Sequence, residues 1–435
     1  MKKVIIILSL TISNLILAQT YTSYFTGSST DLVTSPSGGV CMMGGASEHN
    51  EAMKWFLNRA DGGDVLILRA SGTDGYNSYM YSGLGVTLNS VETIVCNSTA
   101  ASSEAYIHDK INKAEAIWFA GGDQWDYISY WRHTAIDSLI NKGVMERNLV
   151  IGGTSAGMAI LGKYYFSAVN GTVTSSAALF NPFNTDVAVD SAAFLKNKYL
   201  EGVITDTHYD DPDRKGRHVA FLARILVDFE VEGKGIGCNE YTSVCVDTNG
   251  IAKVYGGYPA YDEDAYFIQT NCELYDIAKY PEQCINGLPL TWSVNQQVLK
   301  VYKVHGTNSG ENTFDLKTWE SGNGGEWQTW YVENGVLYQN GNAAEPNCML
   351  NLPDDLLDVG VSISPNPSTG IVKVNSNNGK IQSVIIFDLE GNTVMEKIEV
   401  KEKQIQFFID NLGKGVYLMK IETKSQFFIK KLVKT

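Results

Sequence analysis

The chain has 435 residues, of which 44% are hydrophobic and 41 are glycine, a composition typical of folded α/β or β-rich domains rather than of a disordered chain. Its length predicts two or three structural units. The formal net charge of −14 argues against nucleic-acid binding, because a protein that contacts phosphate backbones needs a basic face.

The N-terminus has the pattern of a secretory signal peptide. Lys2 and Lys3 precede an apolar run over residues 4–17, which is followed by the small residue Ala18. The alternative, an uncleaved membrane anchor, is disfavoured because the run is short for a membrane span. We therefore predict a signal peptide over residues 1–18 and, since no later apolar run reaches 18 residues, no permanent membrane span.

Residues 37–160 alternate short apolar runs with helical stretches. Residues 65–68, 116–120 and 148–151 predict buried strands, and residues 48–60 and 103–113 predict helices between them. Wholly apolar strands that alternate with helices indicate a parallel sheet covered on both faces. In such a sheet, functional sites form at the carboxyl ends of the strands.

The segment GTSAG, residues 153–157, is a literal G-x-S-x-G motif. It lies between a predicted strand and a helix-like run, which is the context of a nucleophile elbow. The glycines allow a sharp turn that exposes the hydroxyl of Ser155, and the N–H of Ala156 at the helix start can stabilise an oxyanion. The alternative is a plain glycine turn of the phosphate-binding kind.

A serine nucleophile needs a base, and His208 is the best placed of the six histidines, at the end of a strand predicted over residues 202–209, which finishes in polar residues. His218 is better explained as an ordinary residue in the first turn of a helix over residues 219–226. No Cys or His spacing suggests zinc, so we expect no metal and no cofactor.

The rest of the chain predicts β-structure. Residues 297–304 and 327–332 roughly alternate apolar and polar positions, as antiparallel strands do. From residue 361 onward, short strands with Gly and Asn turns predict a small C-terminal β-sandwich. The predicted organisation is a signal peptide, a catalytic domain over residues 19–350 with a β extension, and a tail over residues 360–435.

Four segments resemble the cyanophycinase and dipeptidase E peptidases. They are GGTSAG (152–157), AGGDQ (120–124), the DTHY segment with its following arginines (206–217) and GIGCNEYT (235–242). The resemblance implies an α/β fold like the class I glutamine amidotransferases, a flavodoxin-like parallel sheet with added antiparallel strands. It also implies a serine peptidase, which in cyanophycinases cleaves β-linked aspartyl–arginine bonds.

The resemblance assigns roles to individual positions. Ser155 would be the nucleophile and His208 the general base. Gly122 and Ala156 would supply oxyanion N–H groups. The residues that would line the substrate pocket are Gln124, Asp206, Arg214 and Arg217.

The chain departs from the family pattern in ways that put the substrate in doubt. Thr207 stands where the family has Gln, and an arginine expected near Pro212 is missing. The family's third triad acid lies between nucleophile and base, where the available carboxylates here are Asp186 and Asp190. Asp186 is marginally favoured.

The tail resembles the C-terminal sorting domain of type IX secretion cargo. The resemblance rests on the segments SPNP (364–367), GVY (415–417) and KKLV (430–433). It implies passage through the periplasm to the exterior or cell surface, with the type IX machinery as partner. On composition alone, a carbohydrate- or surface-binding β module is the alternative.

The main functional hypothesis is an exported serine peptidase whose partner is a peptide substrate. The rival enzyme is an α/β-hydrolase esterase, which would need an HGGG-type loop that the sequence lacks. A third possibility is a non-catalytic binding protein that kept the fold but lost the triad acid.

Overall fold

A computed structural model describes residues 20–191, 194–274, 279–348, 361–376, 379–388, 392–424 and 427–435. The predicted signal peptide and the segment between the two predicted domains, residues 351–359, lie outside the described residues. The chain divides into two compact units between Pro346 and Asn347.

The larger unit contains a ten-stranded sheet with a parallel centre. In sheet order the strands are β1 (Tyr21–Gly27), β4 (Ser90–Cys96), β3 (Asp64–Arg69), β5 (Ala116–Phe119), β6 (Val150–Thr154), β2 (Val40–Met43), β11 (Ser243–Val246), β12 (Ile251–Tyr258), β15 (Asn312–Asp315) and β16 (Gly322–Asn323). The five strands from β4 to β2 run parallel, and their outer neighbours pair antiparallel. The strands predicted at residues 65–68 and 116–120 are confirmed as β3 and β5, and the third predicted strand begins two residues late, at Val150.

Helices cover both faces of this sheet. They are α1 (Asn50–Asn58), α2 (Ala105–Lys113), α3 (Gln124–Trp131), α4 (Ala135–Arg147), α5 (Ala156–Ala159), α6 (Ser175–Phe180) and α7 (Lys215–Phe229), with a π-helical turn (Tyr79–Gly83) and a 3₁₀ turn (Thr99–Ser103). Alternate residues of β3 enter different cores: Val65 and Ile67 pack with α1, and Leu66 and Leu68 pack with α2 to α4. The prediction of a sheet covered on both faces is therefore confirmed. Among the described residues, no helix has the length and apolarity needed to cross a membrane.

A second, six-stranded sheet completes the larger unit. In sheet order its strands are β18 (Val336–Asn340), β17 (Gly325–Glu333), β14 (Leu299–His305), β13 (Asp264–Thr270), β10 (Lys234–Cys238) and β9 (Val203–Asp206), and a separate pair is formed by β7 (Tyr165–Phe166) and β8 (Val189–Asp190). Of the pairs between these described strands, β9 with β10 is parallel and the others are antiparallel. The antiparallel strands predicted at residues 297–304 and 327–332 are confirmed as β14 and β17.

The smaller unit consists of two antiparallel sheets. One contains β19 (Val361–Ser364), β20 (Ile371–Ser376) and β23 (Gln404–Phe408), and the other contains β22 (Thr393–Glu402), β21 (Ile381–Phe387), β24 (Gly415–Thr423) and β25 (Phe427–Lys434). Val372 and Val374 of the first sheet share one core with Val384, Ile386 and Met419 of the second. Two sheets over a common core agree with an all-β unit, and its classification as a sandwich stays a prediction.

Candidate active site

Ser155 lies on a sharp turn between β6 and α5. It has φ 52° and ψ −118°, a backbone conformation that a non-glycine residue adopts only when its surroundings impose it. The motif glycines are required by space: a Cβ on Gly157 would lie 2.0 Å from the carbonyl oxygen of Phe119, and one on Gly153 would lie 2.5 Å from the backbone of Gly157. Close packing of α5 on β5 thus produces the elbow that the G-x-S-x-G pattern predicted.

His208 meets Ser155 across the edge of the sheets. It follows β9, and its backbone N–H donates to the carbonyl oxygen of Gly44 at 2.8 Å. This places the imidazole Nε2 2.8 Å from the Ser155 Oγ. The ring also lies against Gly45, where an added Cβ would come within 2.4 Å of it. The two residues predicted as nucleophile and base are therefore within hydrogen-bonding distance.

Glu240 contacts the His208 imidazole on the side away from Ser155. Its Oε1 lies 2.5 Å from Nδ1 of His208, and the two side chains are about a quarter exposed. The sequence analysis had placed Asp186 or Asp190 here, and that expectation is wrong. Asp190 pairs with Arg132 at 2.5 Å, and the Asp186 backbone belongs to a turn capped by Asn184.

The signal for Glu240 was present in the sequence but was not used. It lies in the GIGCNEYT segment that carries the family resemblance, directly after β10. Because β10 runs parallel to β9, the residues that follow the two strands meet at the same edge of the sheet. The sequence analysis considered only carboxylates between Ser155 and His208, and Glu240 lies after His208 in the chain.

A cleft of about 300 Å³ opens beside Ser155. Its lining includes all the residues predicted to form the oxyanion site and the substrate pocket, namely Gly122, Gln124, Ala156, Asp206, Arg214 and Arg217. Gly122 follows β5, and Ala156 begins α5. The Gln124 side-chain amide donates to the carbonyl oxygen of Phe166 at 3.3 Å, which fixes it at the wall of the cleft.

Asp206 and Arg217 form a buried, two-pronged ion pair at the base of the cleft. Nε and Nη2 of Arg217 donate to the two carboxylate oxygens at 2.8 and 2.5 Å, and both side chains are 3–4% exposed. Burial would raise the pKa of Asp206, but the charge and hydrogen bonds of Arg217 outweigh it and lower that pKa. Nη1 of Arg217 donates to Thr172 Oγ1 and to the Val173 carbonyl. The hydrogen-bonding groups of this pair are thus largely used within the protein. This geometry favours a structural role in the wall of the cleft over direct binding of a ligand.

Arg214 is the cation of the cleft that has spare hydrogen-bonding capacity. Its Nη1 donates to the carbonyl oxygen of Thr207 at 3.1 Å, while its Nε is buried without a partner among the described residues. Burial and the neighbouring Arg217 charge lower the pKa of Arg214. None of the ion pairs in the described part of the chain includes Arg214. A ligand carboxylate would accept a hydrogen bond from the unpaired Nε and would offset the repulsion between the charges of Arg214 and Arg217.

His218 lies outside this arrangement. It is fully buried in α7, where Nδ1 meets the Tyr209 hydroxyl at 3.0 Å and Nε2 meets the Ile204 carbonyl at 3.2 Å. Burial lowers its pKa to about 4. The expectation that His218 is a helix residue is met, although it is a buried one. Within the described ranges, no group of three or more His, Cys, Asp or Glu side chains is arranged to hold a metal ion.

Both units match families of known proteins. Residues 36–183 match peptidase family S51, and residues 362–435 match the secretion system C-terminal sorting domain. The predicted resemblances to the cyanophycinase group and to a type IX sorting tail are thereby confirmed. The larger unit is thus related to peptidases, and the tail indicates secretion or attachment to the cell surface.

Individual relatives are distant and partial. The chain is 22% identical over 225 residues to a cyanophycinase of Synechococcus elongatus, which covers 50% of this chain and 65% of that protein. It is 24% identical over 166 residues to a cyanophycinase of Trichormus variabilis, covering 38% and 50%. The chain therefore spans less than two thirds of the length of these curated relatives.

Two solved structures are similar at 14% sequence identity. A peptidase from an acI-B1 Actinobacterium has a TM-score of 0.38, with 51% of this chain and 88% of that chain covered. A putative peptidase E protein from Listeria monocytogenes EGD-e has a TM-score of 0.32, with 51% and 98% covered.

Proposed function

We propose that the protein is an exported serine peptidase that hydrolyses peptide bonds of small or cyanophycin-like peptides. The observation that carries this proposal is the continuous chain of contacts from the Glu240 carboxylate through His208 to the Ser155 hydroxyl, at the mouth of a cleft. Carboxylate, imidazole and hydroxyl in this order are the parts of a serine-hydrolase triad. The peptidase family match over Ser155 supports the same class.

In this mechanism Ser155 Oγ attacks the scissile carbonyl while Nε2 of His208 takes its proton. Glu240 accepts from Nδ1–H, which holds the neutral ring in the tautomer that leaves Nε2 free and then stabilises the imidazolium. The backbone N–H groups of Gly122 and Ala156 would bind the developing oxyanion. His208 returns the proton to the leaving amine, and water then hydrolyses the acyl-enzyme by the same route.

Arg214 suggests the chemistry of the substrate. A half-buried guanidinium with an unpaired donor favours a substrate that carries a carboxylate beside the scissile bond. The aspartyl residue of β-aspartyl-arginine has such a group, because its α-carboxyl stays free when its side-chain carboxyl forms the peptide bond. We therefore propose an acidic residue on the acyl side of the cleaved bond.

The experiment is a substrate panel with the purified protein: β-aspartyl-arginine, an ordinary neutral dipeptide and a p-nitrophenyl ester. We expect the β-aspartyl peptide to be hydrolysed fastest, and Ser155→Ala to lose at least about 10³-fold of the rate. Ser129→Ala, an exposed serine of α3, is the matched control and should behave as wild type. Ester hydrolysis alone would favour the esterase, and no turnover of any substrate would favour the binding protein.

The role of Arg214 has its own test. Arg214→Met should lower kcat/KM for the β-aspartyl peptide by about tenfold to a hundredfold, the value of a charge-assisted hydrogen bond, and leave the neutral dipeptide nearly unchanged. An equal loss on both substrates would show that Arg214 supports the cleft and does not select the substrate.

We also propose the finer structural and cellular assignments. The class I glutamine amidotransferase-like fold is supported by the parallel centre of the large sheet, with Ser155 at a strand-to-helix turn. A small C-terminal sandwich is supported by the two tail sheets with one core. Export through the periplasm and delivery by the type IX machinery are supported by the sorting-domain match.

A further inference from the structure

Three loops position the His208–Glu240 pair of the candidate triad, and no single loop holds both residues. The first (residues 44–46) follows β2, the second (207–214) follows β9 and carries His208, and the third (239–242) follows β10 and carries Glu240. The 32 residues that separate His208 from Glu240 in sequence give neither side chain a local reason to meet the other. The contacts between the loops must therefore set the distance from imidazole to carboxylate.

Most of those contacts join backbone to backbone. The His208 N–H donates to the Gly44 carbonyl at 2.8 Å, and the Tyr241 N–H donates to the Gly45 carbonyl at 3.1 Å. The N–H of Gly44 donates in turn to the Thr242 carbonyl at 2.9 Å. These bonds tie the first loop to the other two, but a side-chain substitution cannot remove them.

Besides the His208–Glu240 contact itself, the second and third loops are joined by a hydrogen bond from a backbone N–H to a side chain. Oδ1 of Asp210 accepts a hydrogen bond from the backbone N–H of Glu240 at 2.9 Å. Asp210 stands two residues after the base, so it links the loop that carries His208 directly to the residue whose carboxylate meets the imidazole. A carboxylate that accepts from a backbone N–H makes a charge-assisted bond, which is stronger than a neutral one.

We propose that Asp210 is a positioning residue for the triad: it holds the Glu240 backbone against the base loop and so keeps the Glu240 carboxylate on Nδ1 of His208. This inference rests on the proposed function, because positioning has a catalytic effect only if the triad works. Asp210 itself is exposed, and it is not among the residues that line the cleft. It therefore acts through Glu240.

Substitution of Asp210 by Asn and by Ala distinguishes the effect of its hydrogen bond to Glu240 from the effect of its charge. Asp210→Asn keeps an oxygen that can accept from the Glu240 N–H but removes the charge, whereas Asp210→Ala removes both. Asp211→Ala is the matched control, since it removes the same charge from the neighbouring exposed residue of the same loop. A misplacement of about 1 Å in a catalytic group costs up to about 10²-fold in rate.

Turnover of the β-aspartyl peptide gives the first readout. We expect Asp210→Ala to lower kcat about tenfold with KM within about twofold of wild type, and Asp210→Asn and Asp211→Ala to stay within about twofold in both constants. A wild-type kcat in Asp210→Ala would overturn the proposal, and so would an equal loss in Asp210→Asn, because the charge and not the bond would then matter.

A second readout needs no substrate. The proton between Nδ1 of His208 and Glu240 should give a low-field ¹H NMR resonance in the wild type, which Glu240→Gln removes. We expect this resonance to persist in Asp210→Asn and to broaden or vanish in Asp210→Ala, with unchanged circular dichroism. Its persistence in Asp210→Ala would overturn the proposal even if the peptides are not substrates, so failure of the inference and failure of the proposed function are distinguishable.

Discussion

Replacement of Glu240 by Gln tests the triad most directly. The substitution keeps the size of the side chain but removes its charge, and the Gln amide can donate a hydrogen bond toward Nδ1 of His208. The imidazole would then carry its proton on Nε2, where it can no longer accept the proton of Ser155. The contacts involved are 2.5 Å from Glu240 to Nδ1 and 2.8 Å from Nε2 to the serine Oγ.

The structure gives the scale of the effect. At 2.5 Å and an effective dielectric constant of about 20, a carboxylate stabilises an imidazolium by about 7 kcal/mol, and partial exposure reduces this value. The wrong tautomer in a serine-protease triad lowers kcat by about 10⁴, which corresponds to about 5 kcal/mol. We therefore expect Glu240→Gln to lower kcat by about 10³ to 10⁴, with little change in KM.

The assay is steady-state hydrolysis of the best substrate of the panel, with Asp186→Asn and Asp190→Asn as controls. Both controls remove a carboxylate in the same part of the chain, and neither should change kcat more than a few-fold, because neither carboxylate contacts His208. If Glu240→Gln keeps more than about a tenth of the wild-type kcat, the argument from this geometry fails. A large loss in Asp186→Asn would restore the assignment made from sequence.

Four further results are expected. Asp206→Ala should lower the free energy of unfolding in urea by about 3–5 kcal/mol, because it leaves the Arg217 charge buried and unpaired, and adding Arg217→Met should restore most of it. His218 binds a proton more weakly in the folded state, where its pKa is about 4, than in the unfolded state, where it is about 6.5. Its contribution to the free energy of unfolding is therefore full above pH 6.5 and should fall by about 3 kcal/mol by pH 4. His218→Gln should lack this part of the pH dependence of stability. Gly45→Ala should displace the His208 imidazole and, if His208 is the base, lower kcat about 10²-fold; normal turnover would contradict this. A chain that ends at Pro353 should keep its activity yet fail to leave its native host, and an inactive but folded product would show that the tail contributes to the site.

The parts of the molecule that local sequence dictates could be predicted. Strands β3 and β5 follow from short runs that are apolar at every position, because a strand buried on both faces has that composition. The elbow at Ser155 follows from Gly153 and Gly157, since any larger residue would collide with neighbouring backbone. The contact with His208 was predicted from its place at a strand end.

Tertiary structure decided what depends on residues distant in the chain. Arg214 and Arg217 cannot be told apart from the sequence. In the structure, Arg217 pairs with Asp206, whereas the Nε of Arg214 has no hydrogen-bond partner among the described residues. Glu240 reaches His208 only because β9 and β10 run parallel and the loops after them are tied together. Hydrophobic periodicity reports which face of an element is buried, and it carries no information about which loops meet at the end of a sheet.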